Sequence, residues 1–180
     1  EMALGFMLAL SRNLFRSSIE LKRGAWNKNG GRELSGQSLG LIGVGHVGKE
    51  VVRLLKPFGC RMLVNDIIDQ REYYSVEGLE EASKEEIFAR ADIVSLHVPL
   101  TDATRGIVNE KSIALMRPET YLINTARGPL VDHNALKRAL VEGRIAGAAI
   151  DVYDEEPPMD RELLSLDNII CTPHTGGNSK

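Results

Sequence analysis

Short apolar segments alternate with amphipathic segments along most of the chain. The apolar segments, such as 93–96, are apolar at nearly every position and predict strands buried on both faces. The amphipathic segments carry apolar residues three and four positions apart, which predicts helices. The predicted strands are 38–42, 61–65, 92–97, 121–124, 144–150 and 168–171, and the predicted helices are 2–14, 46–55, 84–91, 110–116 and 133–142. This alternation predicts an α/β fold with a doubly wound parallel sheet in three αβα layers.

Capping residues support the predicted helix ends. Ser83 and Glu86 have the spacing of a capping box, in which each side chain pairs with the other residue's backbone N–H. Asn109 and Asp132 are predicted N-caps of the two helices that follow. A polar connector with an Asn29-Gly30-Gly31 turn follows the first helix. No repeat or linker divides the chain, and its 180 residues predict one domain.

Three glycines follow the strand predicted at 38–42. Gly43, Gly45 and Gly48 have the spacing of a dinucleotide-binding turn, and Asp66 comes 18 residues after the last of them. The first glycine permits a tight turn, the second lets the backbone approach a pyrophosphate, and the third lets the helix pack closely on the sheet. A helix that begins near His46 directs free N–H groups at the phosphates. The pattern predicts a dinucleotide-binding domain of the Rossmann type; a glycine turn without a ligand is the alternative.

The residues around Asp66 favour NAD over NADP. A carboxylate there accepts hydrogen bonds from ribose hydroxyls and repels a 2′-phosphate. Ile67 and Ile68, which follow, offer no cation to neutralise such a phosphate. Arg71 is the nearest cation in the sequence and is close enough to bend back, so the sequence indicates a preference and not an exclusion.

Composition and cysteine usage argue against several other classes of protein. A formal charge of −3 without clustered Lys and Arg argues against a nucleic-acid partner. The apolar run 2–10 is shorter than the roughly 20 residues that span a bilayer, so no membrane partner is expected. Cys60 and Cys171 have neither metal-ligand spacing nor a disulfide framework. They predict buried, reduced thiols in a cytoplasmic protein that binds no metal.

Three chemically versatile side chains follow predicted strands, at the edge of the sheet where ligands collect. They are Arg127, Glu156 and His174. A histidine can take a hydroxyl proton near neutral pH, and a carboxylate on its other nitrogen fixes its tautomer. An arginine can bind a substrate carboxylate with two hydrogen bonds and polarise a carbonyl. Each residue alone also fits a simpler interpretation: a surface arginine, a solvated acidic cluster, and a core histidine satisfied by backbone.

Five segments at the predicted strand ends occur in register along almost the whole chain: Gly43-Val44-Gly45-His46-Val47-Gly48, His97-Val98-Pro99-Leu100-Thr101, Asn124-Thr125-Ala126-Arg127-Gly128, Asp151-Val152-Tyr153 with Glu156-Pro157, and Thr172-Pro173-His174-Thr175-Gly176-Gly177. Together they resemble the NAD-binding domain of the D-isomer-specific 2-hydroxyacid dehydrogenases, of the phosphoglycerate dehydrogenase-like kind. The resemblance implies that Arg127 binds the substrate carboxylate and carbonyl, that His174 is the acid/base, and that Glu156 is its partner. It further implies cofactor contacts from His46, Val47, Asp66, Val98, Thr125, Ala126, Asp151, Gly176 and Gly177, in addition to the three glycines of the turn.

The chain departs from the family pattern in what it lacks. Members carry a separate substrate-binding domain, whereas this chain begins on Glu1 in a helical pattern and stops six residues after His174. We therefore interpret residues 1–180 as the NAD-binding domain of a larger enzyme. The opening helix resembles one in the family's homodimer interface, so its apolar residues form either a partner surface or part of the core of the monomer.

The resemblance leaves more than one function open. The first hypothesis is an NAD-dependent oxidoreductase acting on a D-2-hydroxy acid or a 2-keto acid. The second is an NAD(H)-sensing scaffold or co-regulator, because such relatives can retain the catalytic residues. Formate oxidation is disfavoured, since formate-specific relatives have glutamine where this chain has Glu156, and phosphite oxidation is harder to exclude.

Overall fold

The computed structural model describes residues 1–28 and 30–178, so Asn29 of the predicted turn lies outside the described residues. The strands are β1 (Ser38–Ile42), β2 (Arg61–Asn65), β3 (Glu80–Glu81), β4 (Ile93–Leu96), β5 (Tyr121–Asn124), β6 (Gly147–Ile150) and β7 (Ile169–Cys171). The helices are α1 (Met2–Ser11), α2 (Leu14–Lys22), α3 (His46–Leu55), α4 (Arg71–Glu77), α5 (Lys84–Arg90), α6 (Glu110–Ile113), α7 (His133–Val141) and α8 (Arg161–Leu164).

The strands form one parallel sheet in the order β3-β2-β1-β4-β5-β6-β7. Strands β2 and β3 lie on one side of β1, and strands β4 to β7 lie on its other side, so the strand order reverses between β1 and β4. In sheets of this kind the loops leaving the carboxyl ends on either side of that reversal diverge, and a crevice opens between them. The predicted doubly wound α/β fold is confirmed, and its reversal point falls between the glycine turn after β1 and the segment after β4, where a crevice of this kind is expected.

Two apolar clusters lie on opposite faces of the sheet and make the three αβα layers. Side chains that alternate along β1 divide between them, Leu39 and Leu41 on one face and Ile42 on the other. One cluster packs α1, α3 and α4 against the sheet, and the other packs α5, α6, α7 and α8. Because both faces are covered, the strands are apolar nearly throughout, which is why a run such as 93–96 is buried at every position.

The predicted strand bounds and caps are confirmed at most positions. The strands at 38–42, 61–65 and 121–124 match those of the structure, while β6 begins at Gly147, later than predicted. Ser83 and Glu86 form the capping box of α5, and Asn109 and Asp132 accept hydrogen bonds from the first turns of α6 and α7. Strong local signals of this kind depend only on residues within one helical turn.

The prediction of a single opening helix over 2–14 is wrong. Helix α1 ends at Ser11, Asn13 adopts a left-handed backbone with φ of 51°, and a second helix, α2, starts at Leu14. Asparagine tolerates this conformation better than most residues, so it can separate two helices without a glycine. Elements α2, α4, α8 and β3 were not predicted, because each is short or lacks a long apolar stripe.

The opening helix packs within the monomer. Ala3, Phe6, Met7 and Leu10 of α1 are buried against the sheet and α3. By contrast, the exposed apolar side chains of this region lie on and after α2, at Leu14, Phe15, Leu21 and Trp26. In the ranges 1–28 and 30–178, no helix has the length and apolar character needed to cross a membrane.

Candidate active site

The turn between β1 and α3 has the geometry that its three glycines predict. A Cβ atom on Gly43, whose φ is 99°, would lie 2.5 Å from the carbonyl oxygen of His97, so side chains are excluded where the β1 and β4 loops meet. A Cβ on Gly48 would lie 2.3 Å from the carbonyl oxygen of Gly43, so α3 can approach β1 only because residue 48 is glycine. A Cβ on Gly45 would meet nothing within 4 Å, which leaves open space beside the backbone there.

The amino end of α3 opens onto this space. Gly45 is its N-cap and supplies no side chain to the free N–H groups of the first turn, which leaves those donors available to an anion. Val47 in that turn is 61% exposed, and Ile67 after β2 is 99% exposed, so an apolar surface lies beside the donors. Backbone donors, open space and exposed apolar side chains together fit the pyrophosphate and adenosine of a dinucleotide.

Asp66 is held in place at the end of β2. Its Oδ2 accepts a hydrogen bond from the Val44 N–H at 2.6 Å, and its Oδ1 accepts one from the Ile68 N–H at 3.0 Å. These bonds fix the carboxylate beside the glycine turn. Arg71 does not bend back toward it, because its guanidinium is paired with Asp69 through an Nε–Oδ1 bond of 3.0 Å and a second bond from Nη2. That pairing lowers the pKa of Asp69 to about 2.

Glu156 and His174 are in direct contact. The Nδ1 atom of His174 lies 2.7 Å from Oε2 of Glu156, and Oε1 of Glu156 accepts a hydrogen bond from the Tyr153 N–H at 3.2 Å. The bond from His174 lowers the pKa of Glu156. Because Nδ1 faces the carboxylate, the other ring nitrogen, Nε2, is the one left to exchange a proton with a ligand. Both side chains are partly open to solvent, as a site that admits a substrate requires.

Asp151 anchors the loop that carries His174. Its side chain is buried, yet its carboxylate accepts hydrogen bonds from the Thr172 hydroxyl, the Thr175 N–H at 2.9 Å and the Gly176 N–H at 2.7 Å. His174, between these donors, has a left-handed backbone with φ of 52°, which is uncommon for a non-glycine residue. Such a conformation persists where neighbouring contacts over-determine it, and the three bonds to Asp151 do so here.

Arg127 follows β5 and is exposed. The buried side chain of Asn124 shapes its loop, donating to the Arg127 carbonyl at 2.9 Å and accepting from the Ala126 N–H at 3.1 Å. A Cβ on Gly128 would lie 2.0 Å from the carbonyl carbon of Tyr153, so the Arg127 loop packs directly on the segment that leads to Glu156. The Arg127 guanidinium itself donates to the carbonyl of Ala126 at 2.6 Å.

The structure brings some predicted residues together and places the others around them. Glu156, His174 and Asp151 share one hydrogen-bonded network. Arg127 is connected to it through its backbone, by the packing at Gly128 and by Asn124, whose carbonyl accepts the Asp151 N–H at 3.0 Å. Of the remaining predicted cofactor residues, His46 and Val47 lie in the first turn of α3. The others lie in loops after the strands: Val98, Thr125, Ala126, Gly176 and Gly177.

Sequence reasoning assigned no role to three supporting residues, Asn124, Gly128 and Tyr153. Asn124 had a signal in the sequence, because it is a polar residue at the end of an apolar strand, and the structure shows that it is fully buried. Gly128 and Tyr153 have no comparable signal, because their role depends on an approach between loops that are far apart in sequence.

The other histidines lie outside the predicted catalytic set. His46 is exposed in the first turn of α3. Burial lowers the pKa of His97 to about 4, and its Nε2 lies 2.9 Å from the Ser95 hydroxyl. Burial also lowers the pKa of His133, whose Nδ1 lies 3.6 Å from a carboxylate oxygen of Asp154.

Both cysteines are free thiols. Cys60 is buried, as predicted, whereas Cys171 is only half-buried, although burial still raises its pKa to about 11. Among the residues that the structure describes, no three His, Cys, Asp or Glu side chains are grouped so that they could hold a metal ion.

The fold and the glycine turn define a dinucleotide-binding domain of the Rossmann type. Comparison with known families identifies which one: the profile described as "D-isomer specific 2-hydroxyacid dehydrogenase, NAD binding domain" matches residues 4–176, and the chain belongs to this family. The cofactor that the family binds is therefore NAD.

Individual relatives agree with this assignment. The chain is 44% identical over 183 residues to a D-3-phosphoglycerate dehydrogenase of Methanocaldococcus jannaschii, covering 100% of this chain and 35% of that protein. It is 41% identical over 184 residues to a hydroxypyruvate reductase of Thermotoga maritima, covering 99% of this chain and 59% of that protein.

A solved structure also matches. The crystal structure of a D-lactate dehydrogenase with NAD⁺ from Lactobacillus jensenii superposes with a TM-score of 0.87 at 32% identity, covering 97% of this chain and 57% of that one. The chain thus spans between about a third and three fifths of the length of these proteins.

Proposed function

We propose that the protein carrying this chain is an NAD-dependent oxidoreductase that transfers a hydride between the nicotinamide and a D-2-hydroxy acid or its 2-keto acid. The observation that carries the proposal is the 2.7 Å contact between Nδ1 of His174 and Oε2 of Glu156, two residues that follow different strands at the ligand-binding edge of the sheet. When bound, NAD accepts the hydride from the substrate carbon or returns it.

In the proposed mechanism, His174 is the acid/base. Glu156 holds Nδ1, so Nε2 takes the hydroxyl proton when a hydroxy acid is oxidised and returns it when a keto acid is reduced. The Glu156 carboxylate would also lie against the imidazolium that forms during oxidation, because its Oε2 is 2.7 Å from Nδ1. The lowered pKa of Glu156 supports this role, because the partner must remain ionised.

Arg127 would bind the substrate carboxylate and polarise the carbonyl. An exposed guanidinium can form two parallel hydrogen bonds with a carboxylate, which fixes the plane of the substrate. The packing at Gly128 supports this placement, because it brings the Arg127 loop onto the segment that leads to Glu156.

The cofactor residues would divide along the crevice. We propose that Gly43, Gly45, Gly48 and the backbone of His46 and Val47 hold the pyrophosphate, with Asp66 on the adenosine ribose. Val98, Thr125, Ala126, Asp151, Gly176 and Gly177 would line the nicotinamide side. The open space at Gly45 and the fixed Asp66 carboxylate support this arrangement, and the Asp69–Arg71 pair supports NAD over NADP.

We further propose that a substrate-binding domain outside residues 1–180 completes the active site, since the relatives named above are longer than this chain. Substrate selectivity would then lie largely in that domain. A useful panel contains 3-phosphoglycerate, hydroxypyruvate and D-lactate, the compounds after which those relatives are named, followed by other 2-keto acids. By itself, the 180-residue chain is expected to bind NADH without efficient turnover, because the proposed substrate-binding domain would not be there to orient the substrate and exclude water.

The role of His174 can be tested in the longer protein. Replacing it with alanine (His174→Ala) should reduce kcat at least about 100-fold, the usual contribution of a positioned general acid/base, while the Kd for NADH changes less than about three-fold. An equal loss of turnover and NADH affinity would contradict the assigned role. A steady rate without any nicotinamide cofactor would contradict the whole proposal.

An NAD(H)-sensing scaffold is the second candidate, and the exposed apolar side chains of α2 and the segment after it support the dimerisation that such a sensor requires. Leu14, Leu21 and Trp26 are each more than half exposed, and a second copy of the chain would cover them in the homodimer that we propose for either function. A silent substrate panel together with NADH-dependent dimerisation would favour the sensor. The free thiols Cys60 and Cys171 support a cytoplasmic location for either.

A further inference from the structure

Tyr153 contacts both loops of the Glu156–His174 pair. It follows β6, two positions after Asp151, and only 8% of it is exposed. Its hydroxyl donates a hydrogen bond to the carbonyl oxygen of Thr172 at 2.9 Å, and its backbone N–H donates one to Oε1 of Glu156 at 3.2 Å. A single residue is therefore bonded to the carboxylate partner and to the loop of the histidine.

The carbonyl of Thr172 is the point at which Tyr153 acts on His174. This oxygen also accepts the His174 N–H at 3.1 Å, so it joins the tyrosine hydroxyl to the histidine backbone. The side chain of the same threonine donates to Asp151. Asp151 therefore holds Thr172 through its side chain, and Tyr153 holds it through its carbonyl.

The backbone of His174 needs this restraint. With φ of 52°, it lies in a region that non-glycine residues leave unless surrounding contacts hold them. The direction of the imidazole depends on this backbone, and its Nδ1 must meet Glu156 within hydrogen-bond distance. Burial raises the pKa of Tyr153, so its hydroxyl keeps its proton and remains a donor throughout the neutral range.

We propose that Tyr153 is a positioning residue: through the Thr172 carbonyl, its hydroxyl holds His174 in the backbone conformation that directs Nδ1 at Glu156. This rests on the proposed function only where turnover is concerned, because the geometry of the pair can be measured without a substrate. Tyr153 touches neither cofactor nor substrate in this proposal and acts only through the loop.

The variant Tyr153→Phe tests the hydroxyl alone, because phenylalanine keeps the buried ring. Tyr121→Phe is the matched control, since Tyr121 lies at the amino end of β5, whereas the site lies beyond the carboxyl ends of the strands. In the 180-residue chain, ¹⁵N spectra of the imidazole rings report whether His174 carries its proton on Nδ1, and the loss of one signal in His174→Ala assigns it. Far-ultraviolet circular dichroism confirms that both tyrosine variants are folded.

We expect Tyr153→Phe to lower the equilibrium ratio of His174 protonated on Nδ1 to His174 protonated only on Nε2 about three- to ten-fold, the effect of losing one net hydrogen bond, and Tyr121→Phe to leave this ratio unchanged. In the longer protein, kcat should fall by a similar factor while the Kd for NADH stays constant. An unchanged His174 spectrum in Tyr153→Phe would overturn the inference, and so would an equal change in Tyr121→Phe. If the wild-type protein reduces no 2-keto acid, the proposed function fails while the spectra still decide the role of Tyr153.

Discussion

The substitution Asp151→Asn tests how the loop of His174 is held. The wild-type carboxylate presents one oxygen to the Thr175 N–H and the other to the Gly176 N–H. Asparagine replaces one of these oxygens with an NH₂ group. Whichever way the amide is turned, one of the two backbone N–H groups then faces another donor.

The size of the effect follows from the burial of this site. Asp151 is 1% exposed, so a backbone donor that faces the new NH₂ group loses its partner with little access to water. Leaving a buried donor unsatisfied costs about 1–3 kcal/mol. The remaining bonds change from charge-assisted to neutral, which costs roughly 1 kcal/mol more. The loop should therefore open more easily by about 3 kcal/mol, which corresponds to amide exchange roughly 100-fold faster.

Hydrogen exchange followed by NMR measures this directly at the amides of Thr175 and Gly176. Asp167→Asn is the control, because Asp167 is exposed and the same chemical change there should alter exchange less than about three-fold. We expect the NADH affinity of Asp151→Asn to fall as well, since Gly176 is a predicted cofactor residue. Exchange at both amides within about three-fold of the wild type would refute the reasoning.

Two further predictions concern the glycine turn and the stability of the fold at acidic pH. Gly48→Ala should destabilise the domain, because its Cβ would lie 2.3 Å from the Gly43 carbonyl oxygen. Gly45→Ala should lower the unfolding temperature less, since its Cβ meets nothing within 4 Å and only the N-cap of α3 is weakened, but it should bind NADH at least about ten-fold more weakly. Calorimetry and fluorescence titration separate the two effects, and equal unfolding temperatures of the two variants would contradict the packing argument. The contact with His174 lowers the pKa of Glu156 from 4.5, so the pair should stabilise the fold fully above pH 4.5 and lose this effect as the pH falls through the lowered pKa. The difference in Tm between the wild type and Glu156→Gln should therefore shrink as the pH falls below 4.5. A difference in Tm that grows over this pH range would contradict the prediction.

The sequence by itself determined the features that depend on residues close together along the chain. The Gly43 turn, the start of α3 near His46 and the caps at Ser83 and Asp132 were all predicted, because each is set by backbone sterics or by hydrogen bonds within one turn. The strands were predictable because both faces of the sheet are covered, which makes each strand apolar throughout. The break at Asn13 was missed, since nothing in its neighbours requires a left-handed residue.

Only the tertiary structure decided how the candidate site is held together. Glu156 and His174 are 18 positions apart, and their contact depends on β6 and β7 being neighbours in register, which no local pattern encodes. The same pairing brings Asp151 to the His174 loop and the Tyr153 hydroxyl to Thr172. Local sterics and periodicity therefore suffice to predict most strands, the longer helices after β1 and the nucleotide turn. The contacts that support the catalytic pair depend on which strands are neighbours, which only the folded sheet defines.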